Sequence, residues 1–448
     1  MIRRHPMSSS LRSTLHGALF SSLLLSAAPA MALQSLADFL AGARHHGAEG
    51  KLAALTSAQE EVEVRVALGR VLPSLSARGV YTRNQFESKL DLSEILGGAP
   101  GTSSIEPFVI QAANQLDAYF QLDVPIVDFA GWARVDAAQA NARAAQHSAE
   151  EVLLGVEKQV ARNYYQLIGA EALRAAALKT LQAAEQDVVL TRERQAGGVA
   201  TGLDLDRATA EVERARQSLS DAELTLQLSR RMLHTLTGLL PEGEASAVAD
   251  DLHEEEPLEN WLGGSVEAIP AVASAVEQRR RNESNAVASK LALVPTLSAS
   301  AQEHLTNAPG FIGRSSSWVV TATINWRADV TTFGTLRSQE IAAALARTRE
   351  EAVRQRALDQ VYESWVRVHS GLARSRAARA ETQASRAAVA RARDRYQQGA
   401  GTQLELVQAE RDAFSAEVSR IQADAALSYA RAALRLDSGK PLGGILQP

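Results

Sequence analysis

Four things are missing or scarce in this 448-residue sequence, and each removes a class of function. It has no cysteine, which excludes disulfides, thiolate metal sites, cysteine nucleophiles and a lipid anchor on an N-terminal cysteine. Positive charge is not in excess: 47 Lys and Arg face 52 Asp and Glu, a net charge of −5, so no global field draws in a phosphate backbone and nucleic acid is not an expected partner. Past residue 32 no stretch approaches the roughly 18 consecutive apolar residues of a spanning helix, so a mature chain that enters a membrane must do so with strands. Proline is absent from 126–240 and from 310–440, which leaves two long stretches with nothing to break a helix.

Catalytic and metal motifs are missing as well. No HExxH, P-loop, dinucleotide fingerprint or nucleophile elbow occurs, and the nine histidines are scattered, with His45-His46 the one adjacent pair. Neither an enzyme nor a bound metal or cofactor is expected.

What is present begins with an export signal. Arg3, Arg4 and Arg12 precede the apolar run from Ala18 to Ala28, and Ala30-Met31-Ala32 offers small residues where a signal peptidase cuts, so residues 1–32 read as a leader removed after Ala32.

The two proline-free stretches are rich in Ala, Leu, Glu, Gln and Arg, all strong helix formers. Each has a glycine break near its middle, at Gly197-Gly198 and at Gly399-Ala400-Gly401. Helices are expected over Trp132–Gln195 and Leu336–Gln397, close to 95 Å at about 1.5 Å per residue, and over Leu203–Thr237 and Leu404–Leu436, about 50 Å by the same rise. A heptad seam runs along the shorter pair: Leu205, Ala208, Val212, Ala215, Leu219, Ala222, Leu226, Ser229 and Leu233, then the same pattern from Leu406 to Leu434 at an offset of 201 residues. Alanine in such a seam implies closely approaching helices.

That offset belongs to a duplication of the whole mature chain. Pro73-Ser74-Leu75-Ser76-Ala77 matches Pro295-Thr296-Leu297-Ser298-Ala299, and Gly131-Trp132-Ala133-Arg134 matches Gly334-Thr335-Leu336-Arg337. The reading is a first repeat over 33–238, a linker over 239–264, a second repeat over 265–440 and a tail over 441–448. The linker's acidic cluster, Asp250-Asp251 and Glu254-Glu255-Glu256, reads as a solvated loop. Seven arginines between Arg374 and Arg395 read as a solvated face or as inter-helix pairs.

Ahead of each long helix lie two segments in which apolar and polar residues alternate: Ser74–Thr82 and Ala118–Val124, then Leu297–Leu305 and Trp318–Trp326. The last has Trp318, Val320, Ala322, Ile324 and Trp326 on one face and Val319, Thr321, Thr323 and Asn325 on the other. Such alternation suits strands with lipid on one side and a wet lumen on the other. Trp318 and Trp326, about 27 Å apart along a strand, fit the two aromatic girdles at the membrane interfaces. Four strands cannot close a barrel whose known minimum is about eight, so several chains must contribute.

The order of these features, with Val124-Pro125-Ile126-Val127-Asp128-Phe129-Ala130-Gly131 leading into the first long helix and Gly-x-x-Thr-x-Leu-[Asp/Glu]-Leu after each glycine turn, resembles the TolC-type outer-membrane efflux proteins over roughly residues 34–440. The resemblance implies a mainly α fold with a small β part: a homotrimer with a twelve-stranded outer-membrane β-barrel, embedded in outer-membrane lipid and continuous with a periplasmic α-helical barrel. It implies an exit duct for solutes or proteins, served by a periplasmic adaptor (membrane fusion) protein and an inner-membrane transporter. By the same resemblance Gly198, Thr201, Leu203, Gly399, Thr402 and Leu404 form adaptor-docking tips, and Asp204 and Glu405 line the periplasmic entrance gate. The residues alone permit a plainer role for that pair, as acids in the first turn of a helix complementing its dipole. A periplasmic coiled-coil adaptor or structural rod would share the leader and the heptads. Asn325-Trp326-Arg327-Ala328-Asp329 replaces the apolar-Pro junction usual in the family, and the lipidated N-terminal cysteine of many relatives is absent.

Overall fold

The computed structural model describes residues 33–90, 108–243, 250–263, 266–440 and 442; the leader expected over 1–32, and the expected tail apart from Leu442, lie outside them. Helix α1 (Leu36–His46) opens on a capping box in which Ser35 and Asp38 satisfy each other's backbone N–H, and it ends on Arg44, His45 and His46, cations that suit a helix C-terminus. Gly47 separates it from α2 (Ala48–Gly69). Strand β1 (Ser74–Arg83), the short β2 (Ser88–Leu90) and β3 (Phe108–Gln111), and β4 (Asn114–Val127) follow. The long α3 (Phe129–Ala196) then turns into α4 (Gly202–Thr237). The second half carries α5 (Leu258–Leu262), α6 (Pro270–Leu291), β5 (Thr296–Thr306), β6 (Ser316–Asn325), α7 (Val330–Gln397) and α8 (Gln403–Asp437).

Both long helices start earlier than the sequence reading places them, and for one reason. The Asp128 carboxylate accepts a hydrogen bond from the Gly131 N–H at 2.7 Å, and that of Asp329 accepts from Thr332 N–H at 2.7 Å. An aspartate at the N-cap satisfies donors left open in the first turn. The unusual second junction therefore still starts its helix as the first does. The β2–β3 pair is an addition: strands of three and four residues are too short to leave a period-2 signature in the sequence.

The heptad seam is the buried stripe. Ala208, Val212, Ala215, Ala222, Leu226 and Leu233 of α4 are buried, as are Leu406, Ala416, Ala423, Leu427 and Leu434 of α8. Helix α4 packs on α3, whereas α8 packs on both α7 and α3. One apolar core gathers Phe39, Leu167, Leu233 and Leu436 from α1, α3, α4 and α8. A second joins Trp261 of α5 to Val361, Val368, Leu427 and Leu434 of α7 and α8.

The four-stranded sheet runs β1-β4-β5-β6, antiparallel throughout, so β4 and β5 join the two halves. Register sorts its faces. Leu75, Leu122, Ala301 and Val320 lie side by side across the sheet, and so do Ser74, Asp123, Ser300 and Thr321 one row along. Successive residues point to opposite faces, so the first row belongs to an apolar side and the second to a polar side. On the apolar side Leu75, Phe120, Leu122, Trp318, Val320 and Ile324 are all exposed. Glu303 interrupts that side beside Trp318, accepting a hydrogen bond from the Ser316 hydroxyl. Among the described residues no helix is long and apolar enough to cross a membrane.

The acidic cluster of the linker is not the solvated loop the sequence suggests. Asp250 and Glu255 are buried against the equally buried Arg431 of α8: its Nε meets Asp250 at 2.7 Å, and a terminal nitrogen meets the Glu255 carboxylate. The same guanidinium donates to the His253 carbonyl at 2.7 Å. Asp251, Glu254 and Glu256 do remain exposed. Single-sequence reasoning misses this because the cation lies some 180 residues downstream, and an unpaired charge buried here would be costly.

Candidate functional site

The two hairpin turns lie together at one end of the helices. Gly198 and Gly399 adopt φ of +75° and +76°, the left-handed conformation that favours glycine, which is why each long helix ends there. The N–H groups of Val199 and Ala400 then bond back to the carbonyls of Arg194 and Arg395, both at 2.9 Å, closing the last turn. Thr201 and Thr402 are the N-caps of α4 and α8. Leu203 and Leu404, each next but one after its capping threonine, are 57% and 55% exposed.

The matched acids do different things. Asp204 closes a capping box: its carboxylate accepts from the Thr201 hydroxyl at 2.7 Å and the Thr201 N–H at 3.0 Å, while its own N–H donates to the Thr201 oxygen at 3.3 Å. Those bonds, chiefly the one from the backbone, hold its carboxyl below the usual aspartate range. Glu405 donates its N–H to the Thr402 hydroxyl at 3.2 Å but does not reach back with its carboxylate. That carboxylate stays half exposed, 3.7 Å from Arg395.

Behind the turns the helices are tied by polar groups, of which sequence reasoning named the arginines of α7 but not their partners. Arg194 of α3 donates to the Tyr396 carbonyl of α7 at 2.7 Å, and its guanidinium lies 4.6 Å from the centre of that tyrosine's ring. The Tyr396 hydroxyl meets the buried Thr191 hydroxyl at 3.2 Å. Further up, Arg393 of α7 bridges Asp187 of α3 at 3.3 Å and Glu410 of α8 at 2.6 Å. Two carboxylates share one cation there, and burial, together with the charge of Asp187, pushes Glu410 up to about 8. Glu211 of α4 joins Arg411 of α8 at 2.7 Å. The arginine-rich run of α7 is largely paired in this way, with Arg376 on Glu254, Arg379 on Asp424 and Arg386 on Glu417. One signal was available in the sequence: two of these pairs, Asp187 with Arg393 and Glu211 with Arg411, join opposite charges about one repeat length apart.

Trp318 lies on β6 and Trp326 one residue beyond it, both exposed; the Trp326 ring N–H donates to the Leu293 carbonyl at 3.0 Å. Both are therefore far along the chain from the tips, at the sheet.

Comparison with known proteins follows these features closely. The family model described as "Outer membrane efflux protein" matches residues 51–239 and 265–440. The chain is 24% identical over 326 residues to outer membrane protein OprJ of Pseudomonas aeruginosa, a stretch that covers 69% of this chain and 65% of OprJ. Among solved structures, CusC superposes with a TM-score of 0.76 at 18% identity, covering 91% of this chain and 92% of that one. The open state of the outer membrane channel MtrE from Neisseria gonorrhoeae gives 0.71 at 17% identity, over 91% and 90%. At these identities the solved structures establish a shared fold.

Proposed function

Because the chain belongs to the outer membrane efflux protein family, we propose that it is the outer-membrane channel of a tripartite efflux or secretion system. The observation that carries this reading is the sheet. Its apolar face is exposed, nothing among the described residues covers it, and β1 and β6 are open edges. In water such edges and such a face invite aggregation; in lipid the face is satisfied and the edges must pair with other copies. Three chains of four strands give twelve, an even-stranded barrel of ordinary size. The long helices, near 100 Å at about 1.5 Å per residue, then extend the conduit into the periplasm. A rod or adaptor has no use for that exposed face.

In this reading the two duplicated units, 33–238 and 265–440, each supply one strand pair and one helical hairpin. Gly198, Thr201, Leu203, Gly399, Thr402 and Leu404 meet the periplasmic adaptor, which couples the channel to the inner-membrane transporter. Three copies of Glu405, free of a capping role, form an acidic ring at the gate that favours cations. Asp204 stands beside it with its carboxylate committed to the helix end. Trp318 and Trp326 anchor the two lipid interfaces.

The purified mature protein should be trimeric, require detergent and conduct ions in planar bilayers. A monomer soluble without detergent would overturn the proposal. Bulky or charged replacements of Gly399 or Leu404 should abolish transport in cells while trimers persist, and normal transport would remove the docking assignment.

A further inference from the structure

A cleft of about 1170 Å³ runs along α8, walled by α3 on one side and α7 on the other. Helical spacing fixes which way it opens. Arg431 and Trp365 both bind the 250–263 segment, through Asp250 and through the Glu256 carbonyl, while Ala433 and Arg367, each two residues further on, line the cleft. Two residues are about 200° around a helix, so the cleft opens on the face opposite that segment.

Its charges are unequally used. Asp437 takes Lys158 and also accepts from the Ser364 hydroxyl at 2.6 Å, and Glu363 takes Arg367 at 2.5 Å. Arg162 of α3 and Arg374 of α7 line the same space and are exposed, and neither has an ion pair or hydrogen bond among the described residues. Between them the floor is small and apolar: Ala425, Ala426 and Ala433, with Tyr429. Cations on both walls above an apolar floor concentrate anions and give their hydrocarbon a place to lie.

We infer that this cleft binds amphipathic organic anions, with Arg162 on one wall and Arg374 on the other each able to take a sulfonate or carboxylate while the apolar body lies on the alanine floor. A guanidinium suits such a head group because it can donate two parallel hydrogen bonds to it. The transport role of the site rests on the channel reading, in which this face lines the duct; the binding itself does not.

The test is calorimetric titration of the detergent-purified protein with 1-naphthalenesulfonate, alongside 1-naphthyltrimethylammonium as a cation of similar shape. The sulfonate should bind and the cation should bind at least about tenfold more weakly, given the worth of a charge-assisted hydrogen bond. The double variant Arg162→Gln, Arg374→Gln should lose about tenfold or more in sulfonate affinity without change in thermal unfolding, because both residues are exposed and unpaired. A second variant, Ala426→Trp, fills the floor and should weaken binding with all cations retained. Equal binding of the two probes, undiminished binding in both variants, or no sulfonate binding to the wild type would overturn the inference. Size-exclusion chromatography of the same samples separates the two readings: sulfonate binding to a monomer would sink the channel and leave the site, whereas a trimer that ignores the sulfonate would do the reverse.

Discussion

The two helical hairpins of this chain are built on one seam, offset by 201 residues, yet bury different things. Helix α4 is an outer member that buries a stripe against α3. Helix α8 lies between α7 and α3 and buries a second face that includes Asp424, Ser428, Arg431 and Asp437. The shared seam explains why both hairpins form. Position in the layer explains why α8 buries more charge than α4, whose one buried charge among the described residues is Glu211, and each charge in α8 has a partner: Asp424 takes Arg379 and Arg420, Asp437 takes Lys158, and Arg431 takes Asp250 and Glu255. Breaking a buried pair strands the survivor, so these contacts specify how the halves assemble more than they add to net stability.

The largest effect expected from that contrast is at Arg431. The matched residue in the first hairpin is Arg230, which pairs with Glu171 at 2.9 Å and keeps about a third of its side chain exposed. Arg431→Met leaves two carboxylates buried without a cation and should cost about 3–5 kcal/mol, whereas Arg230→Met should cost about 1 kcal/mol. Thermal unfolding in detergent would measure the difference. Limited proteolysis should cut within 250–263 in the Arg431 variant alone. Equal losses would mean that the two positions are interchangeable and the contrast false.

A smaller effect separates the halves at the tip. Glu410 of α8 sits where the first hairpin has the exposed Thr209, so only the second half brings a buried acid toward Asp187. Its folded carboxyl keeps a proton that the unfolded chain releases near its ordinary value of 4.5. The stabilisation is therefore complete below pH 4.5 and is lost as the pH rises towards about 8. Amide hydrogen exchange at the turns, corrected for intrinsic rate, should speed up by about tenfold between pH 5 and 9, and Glu410→Gln should flatten the profile. A wild-type profile already flat would show that Arg393 neutralises both acids at every pH.

Much of the fold was legible because it is repetitive. Proline-free stretches, paired glycine breaks and a heptad offset by a constant number place all four long helices within a few residues, and period-2 alternation finds the four main strands. What escaped was whatever depends on a distant partner. The capping aspartates Asp128 and Asp329 were on the page but looked like ordinary junction residues. The acids of the linker looked solvated because Arg431 lies far downstream. At the candidate tips, sequence located Gly198, Gly399 and the two leucines, since turns and exposed ends are local; it missed Arg194 and Tyr396, and it named Arg393 only within a run of arginines facing solvent or pairing between helices, because the partners of all three are set only once α3, α7 and α8 lie side by side.

The smallest predicted effect is also the sharpest test of the comparison, because it concerns the two residues that look most alike. Asp204 is one methylene shorter than Glu405, and it curls back onto Thr201 where Glu405 stays outside its own cap. Thr201→Ala removes a hydroxyl that both donates and accepts and should cost about 1–2 kcal/mol; Thr402→Ala removes an acceptor for one N–H and should cost about 0.5–1 kcal/mol. Asp204→Asn should weaken the hairpin by a few tenths of a kcal/mol to about 1 kcal/mol and remove the part of its stability that is lost as pH falls below the usual aspartate value. Glu405→Gln should leave unfolding nearly unchanged and instead lower the cation preference of the conducting channel. The two readouts thus cross: stability follows Asp204 and selectivity follows Glu405. If Glu405→Gln destabilises as much as Asp204→Asn and leaves the current untouched, both acids are helix caps and the gate must be built from other residues.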